Sequence, residues 1–420
     1  MSTLLKNGRV YLDGRFVETD LTIDKGRISV FGSPSHIDRT VDCSGKIIIP
    51  GFTDVHVHLR EPGFSYKETI RTGTMAGARG GYTCLCSMPN LKPVPATLEG
   101  LKAQTDIIAR DAAVRVVPYG TITMEQNGRS RLSDMEALAP YVCAFTDDGK
   151  GVQTGDLMES AMNRARSLGK LIVAHCEDES LLHGGAIHEG KYARAHGLPG
   201  ICSESEWKQV ERDVALAEKT GCGYHVCHVS TKESVDIIRR AKARGVDVTC
   251  ETAPHYLTLC DMDIKQEGRF KMNPPLRDAS DRDALIAGIA DGTVDIIATD
   301  HAPHSAEEKS RGLDSPFGIV GLETSFPVLY TELVLKKKCL TLEKLIDCMS
   351  IKPRRRFSLG PAIEDGAPAN LAIINLEEEF IIDPATFASM GKATPFAGWQ
   401  VLGRVIMTIA DGRIVWERSE

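Results

Sequence analysis

Short apolar runs, rich in β-branched residues and ending abruptly in polar ones, recur along the middle of the chain. They are GFTDVHVH (51–58), YTCLCSMPN (82–90), VRVVPYGTIT (114–123), YVCAFTDDG (141–149), KLIVAHCE (170–177), GYHVCHVS (223–230), VDVTCETAPHY (246–256) and VDIIATDHAP (294–303). Runs of this kind predict strands buried on both faces. Stretches with apolar residues at helical spacing follow most of them, as in LEGLKAQTDIIAR (98–110) and DLMESAMNRARSL (156–168). SESEWKQVERDVALAEKT (203–220) opens with a capping-box pattern, Ser203 and Glu206. STKESVDIIRRAKARG (230–245) repeats the device with Ser230 and Glu233 and closes on a glycine. Strands alternating with helices predict an α/β fold, a (β/α)8 TIM-like barrel over residues 51–355. A doubly wound sheet is the alternative, but no dinucleotide or P-loop glycine fingerprint follows the first strand.

The two ends of the chain have a different rhythm. NGRVYLDGRFVETDLTIDKGRISVFG (7–32), ANLAIINL (369–376) and GRVIMTIADGRIVWE (403–417) read as short strands broken by turns, with Asp-Gly at 13–14 and 411–412 predicting hairpins. Residues 1–50 and 356–420 are expected to pair into one small β-sandwich built from both termini. Composition narrows the function classes. A net charge of −7 over 420 residues argues against nucleic acid or an anionic membrane surface as partner. No run approaches the roughly 20 apolar residues of a membrane span, and the amino terminus lacks a signal-peptide core. The 12 cysteines lie in apolar segments without CxxC pairs, as expected of reduced, buried thiols in a cytoplasmic protein.

In a (β/α)8 barrel the functional residues sit at the C-terminal ends of the strands. Those ends carry His56 and His58, Asn90, Asp147 and Asp148, His175, His228 and Asp300. His56 and His58 are two apart and share a strand face, and Arg60 extends the series if strand geometry persists. Four imidazoles with two carboxylates suit Zn²⁺, or Mn²⁺, Fe²⁺ or Co²⁺. Six such groups exceed the needs of one tetrahedral ion, and two ions sharing a bridging carboxylate would use them all. Arg60 suits an anionic substrate.

DVHVHLREPG, MPN, FTDDG, AHCE, HVCHVS, KMNPPLR, ATDHAPH and the closing ATPFAGW closely resemble the amidohydrolase superfamily. Within it they are similar to the class I dihydroorotases of bacteria. The resemblance implies up to two Zn²⁺ ions per chain, with His56, His58 and Asp300 on one, His175 and His228 on the other, and Asp148 as the bridge. It implies substrate contacts at His58, Arg60, Asn90, Asn273, His304, Phe317 and Gly318, with Asp300 as the catalytic proton carrier. The implied reaction is the reversible cyclisation of N-carbamoyl-L-aspartate to dihydroorotate in pyrimidine synthesis. The implied partners are that small molecule, a second copy of the chain and aspartate transcarbamoylase. One departure stands out: relatives of hydantoinase type bridge their metals with a carboxylated lysine, and no lysine lies in YVCAFTDD. Lys150 follows Asp148 by two residues and is the alternative bridge, as a carbamate. A hydantoinase, dihydropyrimidinase or allantoinase is the second functional reading, and a non-catalytic scaffold the third. His183, His188 and His196 are read as structural, His255 as a residue behind the site, and Cys84, Cys86, Cys176 and Cys227 as packing.

Overall fold

The computed structural model describes residues 2–30 and 36–418. Met1, residues 31–35 and the last two residues, all within the predicted terminal sheets, lie outside the described residues.

The apolar runs of the central segment form short parallel strands. Phe52–Val57 pairs with Tyr82–Ser87, which pairs with Arg115–Pro118. Ile172–Ala174 pairs with Tyr224–Val226, then with Val248–Thr252 and Ile296–Ile297. Both of the first two strands are buried along their whole length, as parallel strands with covered faces require. Isolated parallel bridges connect the two groups: Phe145 links Gly120 to Ile172, and His301 links Val57 to Ile319. The parallel pairing thus runs from Val57 through each run in turn and returns to Val57 at His301. YVCAFTDDG, expected as a full strand, contributes only the Phe145 bridges. Its polar end turns early because Asp147 accepts hydrogen bonds from the backbone N–H groups of Ile122, Thr123 and Gly128. Among the expected strand-end residues Asp147 therefore closes a neighbouring loop instead of joining the site.

Helices cover this layer. Gly155–Ser167, Glu204–Thr220, Lys232–Ala243 and Ala279–Asp291 pack side by side in sequence order. The two predicted capping boxes are not used. Ser203 has helical backbone angles and makes no side-chain cap, and the cap of the next helix is Thr231, which accepts from Ser234 N–H. Glu206 and Ser230 serve a tertiary contact instead. The Glu206 carboxylate, buried, accepts from the backbone N–H groups and hydroxyls of Ser230 and Thr231 and from the Ser234 hydroxyl. A local cap competes with long-range hydrogen bonds for the same oxygen atoms, and here the long-range set wins.

The termini form two sheets. One, six-stranded, has Arg9–Leu12, Arg15–Glu18 and Ile47–Pro50 from the amino end and Leu371–Ile381, Gln400–Ala410 and Arg413–Glu417 from the carboxyl end. The other, four-stranded, is amino-terminal alone. Leu5, Leu21 and Ile23 of the smaller sheet share an apolar cluster with Ile48, Ile373 and Ile409 of the larger. Both Asp-Gly pairs sit in the left-handed region, Asp13 and Gly14 at φ 48° and 79°, Asp411 and Gly412 at 47° and 75°, the angles that a two-residue hairpin turn demands.

The Glu206 cluster ties the start of one helix to the end of the strand that carries His228. Replacing Glu206 with leucine leaves several buried donors unpaired, each costing about 1–3 kcal/mol. Denaturant unfolding of the metal-free chain is expected to show a loss of roughly 3 kcal/mol or more, and a loss below about 1 kcal/mol would show that these donors find other partners.

Candidate functional site

Residues from four separate strand ends converge on the Asp148 carboxylate. Its oxygens lie 3.3 Å from His56 Nε2, 3.5 Å from His58 Nε2, 3.6 Å from His175 Nδ1 and 3.5 Å from His228 Nε2. Asp300 Oδ1 lies 3.2 Å from His58 Nε2 and 3.5 Å from His56 Nε2. His175 Nδ1 and His228 Nε2 are 2.9 Å apart. The ligand-type atoms of His56, His58 and Asp300 fall within 4.8 Å of one another, and so do those of Asp148, His175 and His228. All six side chains are buried. His228 and Asp300 have left-handed backbone angles, φ 31° and 48°, which turn their side chains off the strand line toward the centre. Such angles are costly for residues with a Cβ and persist only where the surroundings impose them.

The set fits a metal centre on its own chemistry. His56 Nε2 and Asp148 Oδ1 are buried without a hydrogen-bond partner, although such atoms are normally paired in folded proteins. Burial opposes charge on Asp300, but the His56 charge and the hydrogen bond from His58 outweigh it and hold its carboxyl down at about 2. Asp148 is likewise held well below the usual carboxylate range, against burial, by His56, His175 and His228. Two ionised carboxylates facing four imidazole nitrogens, with orphaned atoms between them, form a donor set for divalent cations. Cys227 Sγ lies in the same neighbourhood as His56 and Asp148, with burial pushing its thiol up. A fourth grouping, His188 with Asp278 and Asp281, is remote from it, and there His188 Nδ1 lies 3.2 Å from Arg277 Nη1.

The remaining expected residues surround a cavity of about 170 Å³ that opens onto the cluster. Arg60, Asn90, Asn273, Phe317 and Gly318 line it together with His58 and Asp300. Strand geometry does not carry Arg60 there: the strand ends at Val57 and Arg60 has φ 61°, so a left-handed turn re-aims its side chain. Its Nε donates to Pro303 O at 3.2 Å. His304 lies behind it, 3.3 Å from Arg60 Nη2. Asn90 donates to Asp148 O at 2.8 Å and Asn273 to Glu177 Oε1 at 2.8 Å, which leaves the Oδ1 atom of each without a partner. Lys150 is exposed on the turn that follows Asp148. A larger cleft of about 330 Å³, between Arg79, Glu323, Phe380 and Trp416, holds no comparable cluster.

Sequence reasoning missed the groups that hold the cluster. Glu251 Oε1 accepts from His56 Nδ1 at 2.6 Å and Glu251 Oε2 from His225 Nε2 at 3.1 Å, while His225 Nδ1 meets Thr249 Oγ1 at 2.8 Å. A carboxylate only accepts, so Nδ1 keeps a proton toward Glu251, and Nε2 is the nitrogen that would give up its proton and turn a lone pair to a cation at the centre. Burial opposes charge on Glu251, but the His56 charge and the bonds from both histidines bring it down to about 2. Glu177 Oε2 stands 3.5 Å from His175 Nε2, leaving Nδ1 toward Asp148. One signal was available for Glu251: a charged residue inside the apolar run VDVTCETAPHY. His255, expected behind the site, is buried beside Tyr256, and burial holds its imidazole down at about 4.

Partners of this kind typically change metal affinity 10- to 100-fold. Glu251→Gln is expected to weaken divalent-ion binding by about that factor in a chelator competition. An unchanged affinity would show that His56 needs no such partner.

The model of dihydro-orotase-like proteins matches residues 45–234. The dihydroorotase of Geobacillus thermodenitrificans is 51% identical over 428 residues, covering 100% of both chains. That of Bacillus cytotoxicus is 50% identical over 427 residues, covering 100% of this chain and 99% of its own. Among solved structures, the L-hydantoinase (dihydropyrimidinase) of Arthrobacter aurescens superposes with a TM-score of 0.89 at 26% identity, covering 100% of this chain and 96% of that one. Full-length identity at this level, on a fold whose strand ends gather a metal donor set, establishes that the chain belongs to the dihydroorotase family of metal-dependent cyclic amidohydrolases.

Proposed function

We propose that this dihydroorotase is of class I and works in the cytoplasm in de novo pyrimidine (UMP) biosynthesis, cyclising N-carbamoyl-L-aspartate to (S)-dihydroorotate and reversing that reaction. The observation that carries the reading is Arg60. A half-buried guanidinium in the cavity that adjoins the donor cluster suits a ring bearing a carboxylate. The same reading takes residues 51–355 as a (β/α)8 barrel, and residues 1–50 with 356–420 as a β-sandwich. The ring of parallel pairings and the apolar cluster shared by the terminal sheets support it.

In this reading His56, His58 and Asp300 would hold one Zn²⁺ and His175 and His228 the other, with Asp148 shared between them. The distances around Asp148 support the bridge, and the exposure of Lys150 speaks against a carbamate there. Bound divalent ions supply Lewis-acid polarisation and an activated water near neutral pH. The protein's own groups do the rest. Arg60, Asn90 and His304 hold the substrate carboxylate, while Asn273, Phe317 and Gly318 orient the ring. In ring opening, Asp300 takes a proton from water as oxygen bonds to the amide carbon. It returns that proton to the nitrogen as the carbon–nitrogen bond breaks. Cyclisation reverses both transfers. The assembly partners in this reading are a second copy of the chain and aspartate transcarbamoylase, which mixing and sizing of the purified proteins would test.

Two experiments test the reading. Removing one partner of a buried charge pair costs about 2–5 kcal/mol, so Arg60→Met is expected to lose roughly 30-fold to several thousand-fold in kcat/KM on dihydroorotate. Dihydrouracil lacks the carboxylate and should change far less, with metal content intact. Equal losses on the two rings would refute the role given to Arg60. The bridge is tested by metal analysis. Asp148→Ala should lose the second equivalent of metal and Lys150→Ala keep both, and the reverse pattern would favour the lysine.

A further inference from the structure

Lys67 lies on the loop between the strand that carries His56 and the helix Ile70–Arg79, and nothing in the metal cluster calls for it. Its Nζ stands 3.2 Å from His304 Nδ1 and 2.9 Å from Glu308 Oε1, and its side chain is only 14% exposed. The rings of Phe64 and Tyr66 lie 5.8 and 5.4 Å from the same ammonium and flank it. Glu308 is itself tied down, accepting from Ser305 N–H at 3.0 Å and from the Tyr66 hydroxyl at 3.3 Å. The ammonium is thus held against one nitrogen of one imidazole.

That contact decides where the His304 proton sits. Two tautomers are open to a neutral imidazole. With the proton on Nε2, His304 donates to Phe317 O at 2.8 Å and its Nδ1 lone pair accepts from Lys67 at 3.2 Å. With the proton on Nδ1, that N–H donates to Glu308 Oε2 at 3.3 Å but points into the Lys67 neighbourhood. The bare Nε2 then accepts from Arg60 Nη2 at 3.3 Å but faces the Phe317 carbonyl at 2.8 Å, lone pair against lone pair. The short contact belongs to the first arrangement, which also pairs the cation with a lone pair. A second proton, on Nδ1, would bring an N–H against the Lys67 ammonium. Burial, then the charges of Arg60, Lys67 and Lys309, hold the imidazole down at about 3, so it stays neutral in the working range.

We propose that Lys67 is a positioning residue for substrate selectivity: it fixes His304 as the Nε2–H tautomer, whose proton, given to Phe317 O in this structure, is shared with the carboxylate of a substrate bound beside Arg60. The proposal rests on the carboxylate-binding role given above to Arg60 and His304. Without Lys67, the Nδ1–H form gains Glu308 as an acceptor and loses its main competitor. Nε2 would then offer the carboxylate a lone pair and repel it. The selectivity for an anionic ring would therefore depend on a cation that need not touch the ring itself.

The test uses the metal-loaded full chain and compares wild type with Lys67→Met, Lys67→Arg, His304→Gln and the double variant Lys67→Met/His304→Gln. A hydrogen bond from a charged donor contributes enough that Lys67→Met should raise KM for dihydroorotate roughly 10- to 100-fold. Its kcat should move less than about threefold, its metal content not at all, and its dihydrouracil hydrolysis little. Lys67→Arg keeps a donor and should recover most of the loss. In the His304→Gln background the lysine change should cost less than about twofold, because its route of action is gone. Long-range ¹H–¹⁵N spectra should show a non-protonated Nδ1 on His304, assigned by its absence in His304→Gln, and Lys67→Met should shift that resonance. Additive losses in the double variant, or a protonated Nδ1 in wild type, would overturn the proposal. If Lys67→Met leaves the substrate ratio unchanged while Arg60→Met shifts it, Lys67 is wrong and the carboxylate reading stands. If Arg60→Met also leaves the ratio unchanged, the carboxylate reading falls and takes the proposal with it.

Discussion

A single buried carboxylate, Asp148, stands within 3.3–3.6 Å of four imidazoles that come from three other strand ends. Few folds allow that. Successive strand ends in a flat sheet move apart by nearly 5 Å per strand, so residues from the first and sixth strands would lie far from one another. Here the pairing curves round until His301 bridges back to Val57, and the strand ends face a common centre. The covering helices and the inner cluster of Val55, Cys84, Tyr119, Val173 and Cys227 keep water from the underside, so the charges meet in a poorly screened interior. Such a cluster without a cation would be costly, because buried charges need partners. Its left-handed residues and orphaned atoms belong to the same account: the fold bears local strain to aim donors at one point.

The aiming depends on groups one step removed. His56 faces inward because Glu251 takes its other nitrogen, and Glu251 in turn is held by His225. The chain Thr249–His225–Glu251–His56 links the strands Tyr224–Val226 and Val248–Thr252 to the strand Phe52–Val57. Asn273 reaches the cavity while donating to Glu177, which also stands beside His175. Metal side and substrate side therefore share a supporting side chain, and a disturbance at Glu177 would be felt by both.

Much of this was legible in the sequence, for definite reasons. The period of two in a strand puts His56 and His58 on one side, and the rule that barrels work at their strand ends selected His175, His228 and Asp300 without any fold in hand. The hairpin turns were legible because Asp-Gly meets a backbone requirement that few other pairs meet. The failures share one cause. Ser203 with Glu206, and Ser230 with Glu233, match a local capping rule, yet the Glu206 oxygens are taken by Ser230 and Thr231, some 25 positions away. YVCAFTDDG matches a strand, yet Asp147 spends its carboxylate on the loop at 122–128. Glu251 carries only a faint local sign, a charge inside an apolar run, and Lys67 carries none, because the contacts of both come from distant segments.

The substrate side follows a different logic from the metal side. A fold shared with a hydantoinase at 26% identity does not by itself choose the ring that is hydrolysed. The candidate metal donors stand on strand ends, where the parallel pairing fixes them. Arg60, Lys67, His304 and Glu308 stand beyond the strands, on loops that tie to one another through hydrogen bonds and ion pairs. Loops accept substitution more readily than paired strands. The scaffold can therefore hold its donor cluster constant while four side chains outside it vary. Those side chains still need the strands, since Arg60 and His304 each lie within four residues of a ligand and inherit their position from it. The loop side chains are thus attached to the donor cluster by short tethers: near enough to be placed by it, and far enough to vary without dismantling it.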